Sequence, residues 1–101
     1  MEKVSSLRVQ ERTSWFTNFY KKLVFKAFSS IDTGQIVLVD NNQQSVFGDT
    51  SSELKVTVTV NDTAMYKAFA LSGSIGAGES YILGQWQCDN LTRLIEIFAI
   101  N

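Results

Sequence analysis

Between Arg12 and Ser30 the apolar side chains Trp15, Phe16, Phe19, Tyr20, Leu23, Val24, Ala27 and Phe28 recur at steps of three and four. That spacing predicts a helix with one broad apolar stripe. Asn18, Lys21, Lys22 and Lys26 fall mainly on the opposite side, and Thr13 or Ser14 is available as N-cap. After a polar break at Ser29, Ser30, Asp32 and Gly34, the β-branched run Gln35–Val39 suits a strand and Asp40-Asn41-Asn42 a turn. Gln44–Gly48 reads as a second strand that bends at Gly48. From Glu53 the alternation is strict, with Leu54, Val56, Val58 and Val60 on one face and Lys55, Thr57 and Thr59 on the other. A half-buried antiparallel strand is expected there.

Asn61-Asp62 can accept from the free amides of a first helical turn, and Ala64, Met65, Ala68, Phe69 and Leu71 then supply an apolar face. Ser72-Gly73 is expected to end this short helix, with Gly73 suited to a left-handed terminal position. Tyr81–Cys88 reads as another strand, and Asp89 as the cap of a last helix carrying Leu91, Leu94, Ile95 and Phe98. The order α-β-β-(β)-α-β-α, without repeated βα units, predicts an α+β fold in which a small antiparallel sheet packs against helices. At 101 residues the chain is one domain, a basic amphipathic helix over about 12–30 and a body over about 35–101.

Composition narrows the chemistry. Apolar residues at 45% and charged residues at 19% suit a packed core rather than a disordered chain. The absence of histidine removes the commonest general base, the Ser-His and Cys-His pairs and any histidine metal site. Cys88 is the single cysteine, so neither an internal disulfide nor a cysteine zinc cluster can form. This points to a reducing compartment, and no signal peptide follows Met1. No apolar run approaches the roughly 20 residues needed to span a bilayer. A cytoplasmic protein, peripherally associated with membrane, is expected.

The net charge of −1 is unevenly spread. Residues 1–30 carry six cations against Glu2 and Glu11, a balance of +4, and residues 31–101 carry three cations against eight carboxylates, a balance of −5. A basic segment on an acidic body suggests an anionic partner for that segment. On a membrane the lysines would meet headgroups while Trp15 and Phe19 entered the acyl boundary. The same stripe can equally pack on the domain's own sheet. Nucleic acid is not expected, because the body is acidic and no binding motif is present.

Gly73-Ser74-Ile75-Gly76-Ala77-Gly78 has the spacing G-x-x-G-x-G and follows a helix, so it fails the dinucleotide fingerprint on both counts. It reads as a flexible or tightly turned connection. Cys88 reads as a small buried apolar residue. Glu79 and Asp89 make a weak acid/base pair, since Asp89 also serves as a cap. No catalytic, cofactor-binding or metal-ligating residues are assigned.

Over residues 47–101 the chain is similar to a known family. Gly73-Ser74-Ile75-Gly76-Ala77-Gly78-Glu79-Ser80-Tyr81, then Leu83-Gly84-Gln85-Trp86-Gln87-Cys88-Asp89-Asn90-Leu91, resembles the amino-terminal domain of cyclopropane-fatty-acyl-phospholipid synthases. That family carries a GSLGLGE(S/A)Y run, a DGWW-like segment, (E/D)CD and a leucine-rich helix. Val60-Asn61-Asp62-Thr63-Ala64-Met65-Tyr66, with Leu71 and Gly73, is similar to its upstream pattern. Leu83 stands where many members have Asp, and Gln85 replaces the first of the paired tryptophans. A weaker likeness is to sterol carrier protein 2 domains.

The resemblance implies a lipid-binding, non-catalytic module that precedes a methyltransferase domain acting on unsaturated phospholipid acyl chains. S-adenosylmethionine would belong to that following domain, and this chain would hold no cofactor. Trp15, Phe19, Lys21, Lys22, Lys26, Phe69, Tyr81 and Trp86 are the expected lipid and membrane contacts, the three of the body lining an apolar groove. Gly73, Gly76, Gly78, Glu79 and Gly84 are the expected docking residues for the methyltransferase domain. The expected partners are phospholipid or a fatty acyl chain, that domain, and a possible second copy in a homodimer. A free-standing sterol-carrier-like lipid binder, or a purely structural docking or dimerisation module, is the alternative.

Overall fold

A computed structural model describes the backbone of residues 2–101 and the side chains from Trp15 onward. Its elements are α1 (Glu2–Phe28), β1 (Gln35–Asp40), β2 (Gln43–Gly48), β3 (Lys55–Val60), α2 (Ala64–Ile82), β4 (Trp86–Cys88) and α3 (Leu91–Ile100). The α+β class and the order of elements are those expected from the sequence. Helix α1 begins at Glu2, so Thr13 and Ser14 lie inside it rather than at its cap.

The strands form an open sheet in the order β2-β1-β3-β4. Strand β1 pairs antiparallel with β2 through a hairpin that joins Asp40 to Gln43, and Asn41 takes the positive φ such a turn needs. Its other neighbour corrects the expectation of an antiparallel sheet, because β3 runs parallel to β1 from Gln35↔Lys55 to Asp40↔Val60. The sheet is therefore mixed. The short link from β2 to β3 passes the start of β1, where the Asp49 amide donates to the Gly34 carbonyl and the Gln35 amide to the Leu54 carbonyl. Alternation along a strand selects the buried face but not the direction of the neighbour.

Ile36, Leu38, Val56, Val58 and Val60 form one face of the sheet and join Val24, Phe28, Met65, Tyr66, Trp86, Leu94 and Ile97 in a single core cluster. All three helices thus contribute to the same side. The opposite face carries Val37, Val39, Thr57 and Thr59. At the end of α3, the Asn101 carboxamide oxygen accepts from the Asp32 and Thr33 amides at 2.9 and 3.0 Å, while its nitrogen donates to the Thr33 and Ile97 carbonyls. These bonds fix α3 against the loop before β1.

One helix start keeps its expected cap and the other does not. The α2 start is served by Asp62, whose carboxylate accepts from the Ala64 amide at 2.9 Å. At α3 the cap is Asn90, which accepts from the Arg93 amide, while the Asp89 carboxylate accepts from the Thr57 amide and anchors β4 to β3. Asp89 therefore does not serve as the α3 cap.

Candidate functional site

Helix α2 contains the largest departure from the sequence reading. The first helical segment does end at Gly73, as expected, but a second helical segment follows it to Ile82, so Tyr81–Leu83 is not strand and only Trp86–Cys88 joins the sheet. At Gly73 the backbone takes φ +53° and ψ −132°, which breaks the helix into two segments. That conformation is open to glycine and disfavoured for side chains. Beyond this corner the second segment turns back on the first so closely that a Cβ on Gly76 would overlap the Ala68 carbonyl oxygen. The glycine-rich run is a helical corner, not a loop.

The corner is secured from the β4 side. The Trp86 indole N–H donates to the Ala77 carbonyl at 3.0 Å, and the buried Ser80 hydroxyl donates to the Gln85 carboxamide oxygen at 2.6 Å. Gly84, at φ +75°, turns the chain from α2 into β4, and the Asn61 carboxamide donates to its carbonyl. Phe69 and Tyr81 pack on Trp86 with ring centroids 5.4 and 4.9 Å apart.

This arrangement leaves a groove of about 750 Å³ between α1, α2 and α3. Its α1 wall is Leu23, Val24, Ala27 and Phe28; α3 adds Leu94, Ile95 and Phe98; and the second segment of α2 supplies Ser74, Ala77 and Gly78. Phe69, Tyr81 and Trp86 all border it, as the sequence had suggested for an apolar groove. Among the described residues, none that lines it is charged, and the indole N–H already has a partner. The volume falls within the roughly 300–1,000 Å³ of small-molecule sites. Burying an ion or a strongly polar group against such walls is unfavourable without partners. The groove therefore suits an apolar guest.

The exposed part of α1 leads into this groove. Trp15 is 62% exposed, Phe16 49% and Phe19 44%, and Trp15 stacks on Phe19 with centroids 5.9 Å apart. One turn further along the same side come Leu23 and Ala27, both bordering the groove. Lys22 lies three residues after Phe19 and Lys26 three after Leu23, so both flank the aromatic stripe rather than opposing it.

Lys21 differs from these two. Its ammonium lies 3.3 Å from Asp40 Oδ2 and over the rings of Phe25 and Tyr66 at 5.4 and 5.7 Å. The fully buried Tyr66 donates its hydroxyl to the same Asp40 oxygen at 2.7 Å. Burial first, then the Asp40 hydrogen bond and charge, push the Tyr66 phenol well above its ordinary range. Lys21 is thus a structural clasp between α1, β1 and α2, whereas Lys22 and Lys26 make no such pairing among the described residues.

The expected docking residues divide. Gly73 and Gly76 build the corner, Gly84 makes a turn, Gly78 borders the groove, and exposed Glu79 borders a smaller hollow of about 280 Å³ with Lys67 and Ser80. Cys88 is half-buried, and burial pushes its thiol up. Among the described residues no helix is long and apolar enough to cross a membrane, and no acidic or cysteine cluster is placed to hold a metal ion. Comparison of the chain with known protein families, with curated proteins and with solved structures gives no match.

Proposed function

We propose that this chain is a non-catalytic lipid-binding module, which holds an acyl chain in the α1/α2/α3 groove and rests on an anionic membrane surface through α1. The observation that carries this reading is the groove itself: large, bordered by Phe69, Tyr81 and Trp86, and free of charged lining. The exposed Trp15, Phe16 and Phe19 continue it, and Lys22 and Lys26 stand where phosphate headgroups would lie. The resemblance of residues 47–101 to the amino-terminal domain of cyclopropane-fatty-acyl-phospholipid synthases agrees with such a role. In that setting the module would present a phospholipid chain to an adjoining S-adenosylmethionine-dependent methyltransferase domain.

The test is flotation with phosphatidylglycerol vesicles across a salt series. Binding at low salt that weakens as salt screens Lys22 and Lys26 supports the membrane half of the proposal. Folded protein that fails to float at any salt concentration removes it. Mass spectrometry of organic extracts from the purified chain addresses the groove separately. Co-purified fatty acid without vesicle binding would favour the free-standing carrier.

A further inference from the structure

The three glycines of the corner are not equivalent. Gly73 is required by its backbone angles and Gly76 by the Ala68 carbonyl. Neither reason reaches Gly78. Its φ is not positive, and a Cβ placed there would meet no atom within 4 Å. A glycine inside a helix is destabilising relative to alanine, so an open, regular helical position gains nothing from it within the fold.

The surroundings of Gly78 supply a reason. It borders the groove together with Ala77 and Ser74, while α1 and α3 line it with the bulky Leu23, Phe28 and Phe98. The α2 lining there consists of small residues, and a side chain at Gly78 would extend into open space. We infer that Gly78 is the residue that sets the girth of the bound acyl chain, by leaving vacant the volume a side chain would fill. This rests on the acyl-chain reading of the groove. An adjoining protein surface would not account for the gap so directly, because a missing side chain in a concave apolar wall fits a narrow guest.

The experiment compares wild type, Gly78→Ala and Gly78→Leu by isothermal titration calorimetry with palmitate below its micellar concentration, alongside circular dichroism and thermal melting. Wild type should bind saturably, Gly78→Ala a few-fold more weakly, and Gly78→Leu about tenfold or more weakly. Both variants should keep wild-type helicity and melt no lower, since each replaces a helical glycine by a better helix former. That combination of equal or higher stability with lost binding distinguishes a groove-width role from a structural one. Wild-type affinity in folded Gly78→Leu would overturn the assignment of Gly78 and leave the groove reading standing. A wild-type protein that binds no palmitate would overturn both.

Discussion

On one side of α1, Lys21, Asp40 and Tyr66 form a closed set in which a cation, a carboxylate and a phenol satisfy one another. On the other, Leu23 and Ala27 border a groove whose Phe28, Ile95, Phe98 and Tyr81 walls leave open apolar space between them. The same helix therefore joins a finished contact to an unfinished one. No buried side-chain polar atom among the described residues lacks a partner, so the incompleteness is confined to apolar surface. Stability is expected to concentrate at the clasp and the core beneath it, and binding at the groove.

The comparison breaks most severely at Tyr66, which fills the core beneath the clasp. Tyr66→Ala should cost about 3–5 kcal/mol, by analogy with other aromatic truncations in cores, and is checked by urea denaturation. Gly73→Ala comes next, at about 1–3 kcal/mol, because a side chain is forced into a glycine conformation while nothing crowds it. Since the corner shapes the groove, acyl-chain affinity should fall in the same variant. A Gly73→Ala protein as stable as wild type would mean that the corner relaxes freely.

Tyr66→Phe is milder and sharpens the contrast with pH. Removing the hydroxyl should cost about 1 kcal/mol at neutral pH. The folded phenol titrates above the unfolded one, so the stabilisation is complete below about pH 10. It declines as pH rises from there towards the folded pKa, because the unfolded chain releases the proton first. Denaturation at several pH values should show wild type losing stability above about pH 10 more steeply than Tyr66→Phe, with groove binding at pH 7 unchanged in the variant. Lys26→Gln should produce the smallest change in stability, within about 0.5 kcal/mol, since the side chain is exposed. Its partitioning onto anionic vesicles should nonetheless fall about fivefold at low salt, the equivalent of about 1 kcal/mol.

The legibility of this molecule follows the range of the interactions. The Val56, Val58, Val60 alternation and the Leu94, Phe98 spacing are local patterns, and both elements stand where those patterns put them. The parallel pairing of β1 with β3 and the Lys21–Asp40 bond depend on residues distant in sequence. No local period signals either one. The Gly73–Gly78 run misled for a related reason: glycines lower helix propensity, and only the return of the chain onto Ala68 makes a helical corner of them. Phe69, Tyr81 and Trp86 were visible as candidate groove residues through their size and the family resemblance. The α3 wall of Leu94, Ile95 and Phe98 showed only as helical spacing, because an amphipathic pattern does not distinguish a buried face from one half of a groove.

The two tryptophans allow the most direct test of the central claim, since Trp86 borders the groove and Trp15 stands on exposed α1. Dibromostearate, whose bromines quench an indole on contact, would be titrated into Trp15→Phe, where Trp86 is the only indole. The result expected is saturable quenching of Trp86 that unlabelled stearate reverses. Emission from Trp86 that dibromostearate leaves unchanged, in a protein folded as the wild type, would contradict an acyl chain in the groove.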